Sequence, residues 1–239
     1  MKMNDVEFDF SNKTVLVVGG SRGIGKEVCR QFVFTGAQVL CASRTDPRMY
    51  GVEHRECNIS SEESIDKLFS NIDKIDFVIN VAGTNLCEPI ENIDASEWDR
   101  VMDTNLKSFF LICRHAVSIM KPLKKGRIVN VSSIAGRHKS IVSGVHYTSS
   151  KYGIIGLTKQ LAQEVSQDNI LVNCVCPSQT MTDMLAESMT DAQLEELGSK
   201  IPVRRIATVT EQAMPILFLC SGGASYISGA TIDVNGGQF

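Results

Sequence analysis

Residues 14–25 read TVLVVGGSRGIG, a short apolar run that passes directly into a glycine-rich turn. β-branched residues dominate the run, as in a strand that is buried on both faces of a parallel sheet. The glycines let the backbone turn tightly and approach a ligand closely, and a helix is predicted from 23 to 35. A strand, a glycine turn and a helix in this order favour an α/β fold with a phosphate-binding site at the helix N-terminus.

The alternation of strand and helix patterns continues along the chain. Strands separated by helices pack as a parallel sheet with helices on both faces. The chain is therefore predicted to form one Rossmann-type, doubly wound α/β domain over residues 1–239, with about seven strands. The strands are predicted at 14–18, 38–42, 76–80, 127–131, 170–175 and 231–234, with a weaker one at 52–57. The helices are predicted at 23–35, 61–71, 94–120, 146–167 and 209–221, with a helical patch near 191–197.

The limits of the long central helix are predicted from its flanking residues. Asp94 and Glu97 have the spacing of a capping box at its N-terminus. The helix is predicted to stop before Pro122, because proline cannot continue a helix interior.

Composition narrows the classes of function. The 239 residues are 43% hydrophobic and 21% charged with a net charge of −3, which is a soluble globular balance. No basic block indicates nucleic acid, and no run reaches the roughly 18 apolar residues of a membrane span. Residues 1–10 are acidic and lack the apolar core of a signal peptide. We expect neither nucleic acid nor a membrane as a partner.

Eight cysteines are scattered through the predicted strands and helices without a Cys-x-x-Cys pair. Cys174 and Cys176 share one side of a predicted strand, where small buried hydrophobic side chains are a better interpretation than a metal or redox pair. We therefore expect no metal centre and a reducing, cytoplasmic environment.

Three motifs follow the glycine turn in a fixed order: Asn-Val-Ala-Gly at 80–83, Ser-Ser at 132–133 and Tyr-x-x-x-Lys at 147–151. Each is weak alone, but together they resemble the short-chain dehydrogenase/reductase family along essentially the whole chain. Residues 226–237 resemble the last strand of bacterial 3-oxoacyl-carrier-protein reductases and sugar-alcohol dehydrogenases. The resemblance implies an oxidoreductase that moves a hydride between a nicotinamide cofactor and a ketone or secondary alcohol.

The resemblance places the catalytic group at Asn105, Ser133, Tyr147 and Lys151. Tyr147 and Lys151 are four residues apart on a predicted helix, so their side chains share a face and the ammonium stabilises a phenolate. Ser133 is expected to hydrogen-bond the substrate carbonyl oxygen, and Asn105 to hold a water that links the lysine to solvent. The interval between Ser133 and Tyr147 is one residue longer than in many relatives, which leaves Ser132 as the alternative.

The resemblance also implies which residues contact the cofactor. Ser43 and Arg44 stand where an acid that selects NAD(H) would sit, and Arg22 lies in the glycine loop. Two guanidinium groups and a hydroxyl suit the 2′-phosphate of NADP(H), so NADP is the predicted cofactor. Asn80 is equally well explained as a brace of the sheet. The implied contacts are Gly19, Gly20, Ser21, Arg22, Gly23, Ile24, Gly25, Ser43, Arg44, Asn58, Ile59, Asn80, Ala82, Gly83, Tyr147, Lys151, Pro177, Thr180 and Thr182.

The sequence leaves the substrate open. A 3-oxoacyl thioester on acyl carrier protein is the first expectation, and a keto-sugar, polyol or secondary-metabolite ketone is the alternative. The basic patch at 121–127 suits an acidic carrier, whereas Gln167 and Asp168 stand where a basic residue would help. A catalytically silent, NADP-sensing scaffold is the alternative from another class. It is disfavoured because Tyr147 and Lys151 are both present.

Residues 183–206 resemble the mobile substrate lid of the family. Substrate choice is expected to depend on side chains of the lid and the loops, namely His138, Ser143, His146 and Met184. Two residues depart from the family pattern: Val18 replaces a usual threonine, and Ser178 replaces a usual glycine.

The helices at 94–120 and 146–167 are predicted to carry more apolar surface than one face needs. The resemblance implies that they pair across a two-fold axis within a homotetramer, with a dimer as the alternative. The side chains in question are Phe109, Phe110, Ile112, Ile154, Leu157 and Leu161.

Overall fold

The computed structural model describes residues 7–85, 87–140 and 142–239, without the side chains at 184 and 188. Residues 1–6, which begin the predicted acidic N-terminus, lie outside this part. Within it, seven strands form one parallel sheet in the order β3-β2-β1-β4-β5-β6-β9, and β7 pairs with β8. The predicted Rossmann-type sheet is confirmed. The strands are β1 (Thr14–Val18), β2 (Gln38–Ser43), β3 (Val52–Glu56), β4 (Phe77–Asn80), β5 (Gly126–Val131), β6 (Ile170–Pro177), β7 (Thr180–Met181), β8 (Ala207–Thr208) and β9 (Thr231–Val234).

Helices cover both faces of the sheet. Leu16 and Val18 of β1 pack into one hydrophobic core, and Val15 and Val17 pack into the other, as the alternation of side chains along a strand requires. No helix in the described ranges is long and apolar enough to cross a bilayer. The helices are α1 (Gly23–Phe34), α2 (Glu62–Phe69), α3 (Ala95–Met102), α4 (Ser108–Leu123), α5 (Val145–Val165), α6 (Asp183–Ser188), α7 (Asp191–Ser199) and α8 (Val209–Cys220).

The order of the strands decides where a ligand can bind. β1 lies between β2 and β4, and Val18 at its end is in register with Ala42 and Asn80. The chain reverses its direction across the sheet at this point, so a crevice opens at the carboxyl ends of β1 and β4. The glycine turn, the 80–83 motif and the serine pair all follow strands at this edge.

The predicted helix at 94–120 is divided into three segments. Between α3 and α4, residues Asp103–Lys107 form a π-helical turn, and the buried side chain of Asn105 lies in it. Pro122 lies inside α4, so the predicted stop before it was wrong. Pro122 lies in the last turn of α4, where its missing N–H removes at most one backbone hydrogen bond. The helix ends at Leu123, and Lys124 after it adopts φ +45°.

Only half of the predicted capping box forms. Asp94 Oδ1 accepts a hydrogen bond from Glu97 N at 2.8 Å. The Glu97 carboxylate instead accepts two hydrogen bonds of 2.7 Å from Arg100. The sequence pattern does not indicate α6, β7 or β8, because segments of two to six residues are too short to show a period.

Candidate active site

The turn after β1 forms a cradle that side chains would fill. Gly19 has φ +94°, and a Cβ there would lie 2.6 Å from the backbone of Ala82. A Cβ on Gly20 would lie 2.6 Å from Cys29 Sγ, and one on Gly25 would overlap the carbonyl oxygen of Gly19. Only glycine fits these three positions, and the exposed backbone can approach a pyrophosphate closely.

The N-terminus of α1 is open to an anion. Arg22 is its N-cap, makes no side-chain capping bond, and is followed by a first turn without acidic residues. The free N–H groups and the helix dipole therefore favour a phosphate at this point. A Cβ on Gly23 would lie 3.3 Å from Thr182 Cγ2, so the segment after β6 borders the same turn. Ser21 and Ile24 complete the turn, and these residues fit the diphosphate of a dinucleotide.

At the end of β2, the Ser43 hydroxyl already donates a hydrogen bond within the chain, whereas the arginine guanidinium groups nearby are exposed. The Ser43 hydroxyl donates to Thr45 O at 2.7 Å. Arg44 follows it at the start of the β2–β3 connection, and both Arg44 and Arg22 are exposed. The ion pairs found in the described ranges include neither arginine. The guanidinium groups are therefore the stronger candidates for a phosphate contact, and Ser43 offers only its acceptor lone pairs.

Asn58 and Ile59 follow β3 at the same edge. Asn58 is exposed, and its Oδ1 accepts from Ser60 N at 3.3 Å. Ile59 is half-buried against the core. Asn58 thus keeps its side-chain amide free for a ligand.

Asn80 is fully buried at the end of β4. Its Nδ2 donates to Asn130 Oδ1 at 2.8 Å, and Asn130 Nδ2 donates to Thr158 Oγ1 at 2.9 Å. Burial raises the pKa of the adjacent Cys113 thiol to about 12, so a neutral thiol completes the cluster. This chain of hydrogen bonds joins β4, β5 and α5, which favours the brace over a cofactor contact for the Asn80 side chain.

Tyr147 and Lys151 converge on the first two turns of α5. Lys151 is only 4% exposed, and its Nζ donates to Val131 O at 3.2 Å. The same Nζ lies 5.5 Å from the centre of the Tyr147 ring. The carbonyl of β5 holds one of the three ammonium donors, and the others remain for a tyrosine oxygen or ribose hydroxyls.

Asn105 joins this pair to the loop that follows β4. Its Oδ1 accepts from Thr84 N at 2.8 Å, and its Nδ2 donates to Thr84 O at 2.9 Å and to Ser150 Oγ at 3.2 Å. A Cβ on Gly83 would lie 3.3 Å from Asn105 Oδ1 and 3.5 Å from Lys151 Nζ. The structure therefore brings Gly83, Asn105 and Lys151 together.

The two serines after β5 have different environments. Ser132 is buried, and its hydroxyl donates to Lys151 O at 2.8 Å. Ser133 is half-buried, and its Oγ accepts from Ala135 N at 3.1 Å, so its hydrogen stays available to a substrate oxygen. The geometry favours Ser133 for the substrate contact and gives Ser132 a structural role.

The segment after β6 keeps its polar groups in local contacts. Pro177 ends the strand, and Thr180 Oγ1 donates to Ser178 O at 2.8 Å. Thr182 Oγ1 accepts from Leu185 N at 3.3 Å and thereby caps α6. As an acceptor in this bond, the Thr182 hydroxyl can still donate its own hydrogen to a ligand.

The loop after Ser133 is anchored by contacts that the sequence analysis missed. Arg137 makes a two-pronged hydrogen bond to Asp233 on β9, with Nε 2.9 Å from Oδ1 and Nη2 3.1 Å from Oδ2. His138 stacks on Phe239 with ring centres 5.4 Å apart. The partners are far apart in sequence, so no local pattern could indicate them.

One of the candidate substrate contacts is corrected. His146 is fully buried and cannot face a substrate. Ser143 is half-buried and His138 is exposed, so both remain candidates. The side chain of Met184 lies outside the described part of the chain.

A dinucleotide cradle beside a Ser-Tyr-Lys group at the carboxyl edge of a Rossmann-type sheet is the arrangement of an oxidoreductase. The family model described as enoyl-(acyl carrier protein) reductase matches residues 18–238. The 3-oxoacyl-acyl-carrier-protein reductase of Aquifex aeolicus (strain VF5) is 36% identical, over 98% of this chain and 100% of its own. The acetoacetyl-CoA reductase of Acinetobacter sp. (strain RA3849) is 32% identical, over 95% and 98%.

A solved structure agrees with these relatives. The ligand-free aldohexose dehydrogenase of Thermoplasma acidophilum superposes with a TM-score of 0.88 at 30% identity, covering 95% of this chain and 94% of its own. The chain belongs to the short-chain dehydrogenase/reductase family.

Alanine at each serine separates the two roles. Ser133→Ala should lower kcat by about 10²–10³-fold, as expected when one donor to a developing oxyanion is lost. Ser132→Ala should keep kcat within about threefold and lower stability by about 1 kcal/mol, since it removes one buried hydrogen bond. Steady-state kinetics and thermal unfolding of both variants measure these effects. A larger loss of kcat in Ser132→Ala would reverse the assignment.

Proposed function

We propose that this protein is an NADP(H)-dependent ketoreductase whose catalytic group is Asn105, Ser133, Tyr147 and Lys151. The observation that carries the proposal is the position of Lys151, whose buried ammonium lies beside both the Tyr147 ring and the Gly83 backbone. The tyrosine belongs to the catalytic end and the glycine to the cofactor crevice. One cation can therefore serve the proton transfer and the cofactor together.

When bound in this cradle, the nicotinamide of NADPH would supply the hydride that adds to the carbonyl carbon. The Ser133 hydroxyl donates a hydrogen bond to the substrate carbonyl oxygen and stabilises the negative charge that develops on it. Tyr147 gives its phenolic proton to that oxygen, and the Lys151 ammonium stabilises the phenolate that remains. Asn105 holds the Gly83–Thr84 backbone against α5, and the water that it is expected to retain would return the proton from solvent.

For the substrate, we infer a small 3-oxoacyl thioester, in line with the activities for which the Aquifex and Acinetobacter relatives are named. Docking of an acidic carrier protein has weaker support. Lys121 lies 3.7 Å from Asp168 and Lys125 lies 3.5 Å from Asp76, so part of the basic patch is already paired. The alternative is a sugar substrate, which the aldohexose dehydrogenase neighbour favours.

Oxidation of NADPH in the presence of a ketone panel tests the function. Acetoacetyl-CoA should be reduced faster than keto-sugars or cyclic ketones. Faster turnover of a keto-sugar would favour the alternative, and no turnover of any ketone, with NADPH still bound, would favour a cofactor-sensing scaffold.

The choice of NADP(H) rests on Arg22 and Arg44. Both are exposed at the edge where the adenosine ribose is expected, and no acid occupies the end of β2. Guanidinium groups pair readily with phosphate oxygens.

We expect NADPH to bind about tenfold to hundredfold more tightly than NADH, as one or two charge-assisted hydrogen bonds provide. Arg44→Asp should reverse this preference, because a carboxylate repels the 2′-phosphate and accepts from ribose hydroxyls. Fluorescence titration of both cofactors measures it. Lys67→Asp, the same charge change in the last turn of α2, is the control. Equal affinities of the unmodified protein for the two cofactors would contradict the proposal.

Tyr147→Phe keeps the ring and removes the proton that is transferred. It should retain NADPH binding and lose about 10²–10⁴-fold in kcat, the usual contribution of general acid–base catalysis. Lys151→Ala should weaken both turnover and cofactor binding, because its ammonium serves both. Rates and NADPH affinity are measured for both variants. Turnover by Tyr147→Phe near the unmodified rate would refute the proton-transfer role.

Two further proposals concern the whole chain. Residues 183–206, with α6 and α7, form the substrate lid of a single domain over 1–239. A reducing, cytoplasmic location is supported by the free thiols of all eight cysteines, seven of them buried.

For assembly, we infer a homotetramer in which α4 and α5 pair with their copies across a two-fold axis. The predicted surface needs correction, since Phe109, Ile112 and Ile154 belong to the core. Phe110 and Tyr152, each 49% exposed, are the exposed aromatic side chains that these helices offer to a partner, and Leu123 and Val145 at the helix ends are exposed as well.

Light scattering should give four times the chain mass of 26.2 kDa. Arginine at both Phe110 and Tyr152 should dissociate the assembly, because it places charge in an apolar interface. Phe34→Arg, at an exposed position on α1, should leave it intact and serves as the control. A monomer at micromolar concentration would contradict the inference.

A further inference from the structure

The helix that carries the catalytic pair begins without a conventional cap. Gly144 is the N-cap of α5 and has no side chain to satisfy the first N–H groups. The first intrahelical bond runs from Thr148 N to Gly144 O at 3.1 Å. The amide of Tyr147 precedes that bond and needs a partner from elsewhere.

His146 supplies this partner from inside the same turn. Its Nδ1 accepts the hydrogen bond from Tyr147 N at 3.0 Å. The ring folds back over the helix start, where a Cβ on Gly144 would lie 2.6 Å from His146 Cε1. Gly144 has no side chain that could cap the helix, and for the same reason it leaves room for the His146 ring to take that role.

The other side of the ring faces a carboxylate. His146 Nε2 is buried without a hydrogen-bond partner and lies 3.7 Å from Glu97 Oε1 on α3. The hydrogen bond from Arg100 is the main cause that holds the pKa of Glu97 below its usual value, so this side chain is a carboxylate. A negative charge at this place favours the tautomer with the proton on Nε2, which leaves Nδ1 as an acceptor.

We propose that His146 is a positioning residue for Tyr147, with its Nδ1 fixing the tyrosine amide and Glu97 selecting the tautomer that can do so. The inference rests on the proposed proton transfer by Tyr147. Misplacement of a reacting group by about 1 Å can cost about 10²-fold in rate, so the backbone that carries the phenol must be held. The contact also makes α3 part of the catalytic framework, although α3 supplies no catalytic group.

Two variants of the same shape isolate the contact. His146→Asn places Oδ1 at the branch position of Nδ1 and can still accept from Tyr147 N. In His146→Leu, the leucine side chain has nearly the volume of histidine but cannot accept a hydrogen bond from Tyr147 N. Both lose the outer part of the ring, so both should lose similar thermal stability. We expect His146→Leu to lower kcat at least about tenfold and His146→Asn to stay within about threefold, with the affinity for NADPH unchanged in both.

Hydrogen exchange of the Tyr147 amide gives a readout that needs no substrate. It should be protected in the unmodified protein and in His146→Asn, and exchange much faster in His146→Leu. Equal exchange and equal kcat in the two variants would overturn the proposal. If the unmodified protein reduces no ketone, the proposed function fails, and the exchange comparison alone decides whether His146 holds the tyrosine.

A milder variant keeps the test open if His146→Leu does not fold. Glu97→Gln removes the charge that selects the tautomer at a partly exposed position, and should lower kcat about threefold and speed exchange of the Tyr147 amide. Arg100→Gln breaks the ion pair of Glu97 but leaves the carboxylate facing the ring, and should change neither. Unaltered exchange and kcat in Glu97→Gln would overturn the role of Glu97.

Discussion

The side chain of Asn105 joins the two parts of the candidate site, namely the loop after β4 and the helix α5, through hydrogen bonds. It holds both backbone polar groups of Thr84, in the loop that follows β4, and it reaches Ser150, which lies between Tyr147 and Lys151 on α5. The Ser150 hydroxyl in turn donates to Tyr147 O at 2.7 Å. A buried amide with three protein partners is costly to leave unsatisfied, so the loop and the helix are fixed relative to each other. Asn105 itself lies in the π-helical turn of residues 103–107, which is wider than a turn of an α-helix.

A second buried chain holds the sheet beneath this site. Asn80, Asn130 and Thr158 connect β4, β5 and α5. Beside them, Lys151 joins α5 to β5, and Asn105 joins α5 to the loop that follows β4. Polar residues at the ends of parallel strands are expensive in a core of valine and isoleucine, but here the three are linked to one another by hydrogen bonds, with Asn80 Oδ1 left without a partner. Tyr147 and Lys151 therefore lie on a helix that buried hydrogen bonds join both to the sheet and to the loop that follows β4.

The sequence predicted the parts of the molecule that local patterns control. Six strands of the seven-stranded sheet appeared as short apolar runs and the seventh, β3, as a weaker pattern. The glycine turn, the tyrosine and the lysine could be placed because spacing along one strand or helix determines their geometry. Contacts between distant segments were not predictable in this way. The turn at 103–107, the enclosure of Asn80 and the partner of Arg137 depend on residues 21 to 96 positions away. Pro122 is a case in which a local pattern gave the wrong prediction. Proline is expected to stop a helix, but in the last turn of α4 it is tolerated.

The choice between Ser132 and Ser133 shows what a structure adds to a motif. The two serines are chemically identical neighbours. The interval to Tyr147 is one residue longer than in many relatives, so the spacing alone does not decide between them. Their environments can decide, because Ser132 is buried and Ser133 is half-buried just beyond the end of β5. The Ser132 hydroxyl donates its hydrogen to the carbonyl oxygen of Lys151 on α5. The Ser133 hydroxyl accepts a hydrogen bond from a backbone amide, so its own hydrogen remains free to donate. Ser132 thereby joins the end of β5 to the helix that carries Tyr147 and Lys151, and the hydroxyl of Ser133 is left free to donate. The pair thus divides one residue type between a buried structural contact and a hydroxyl whose hydrogen remains available to a ligand.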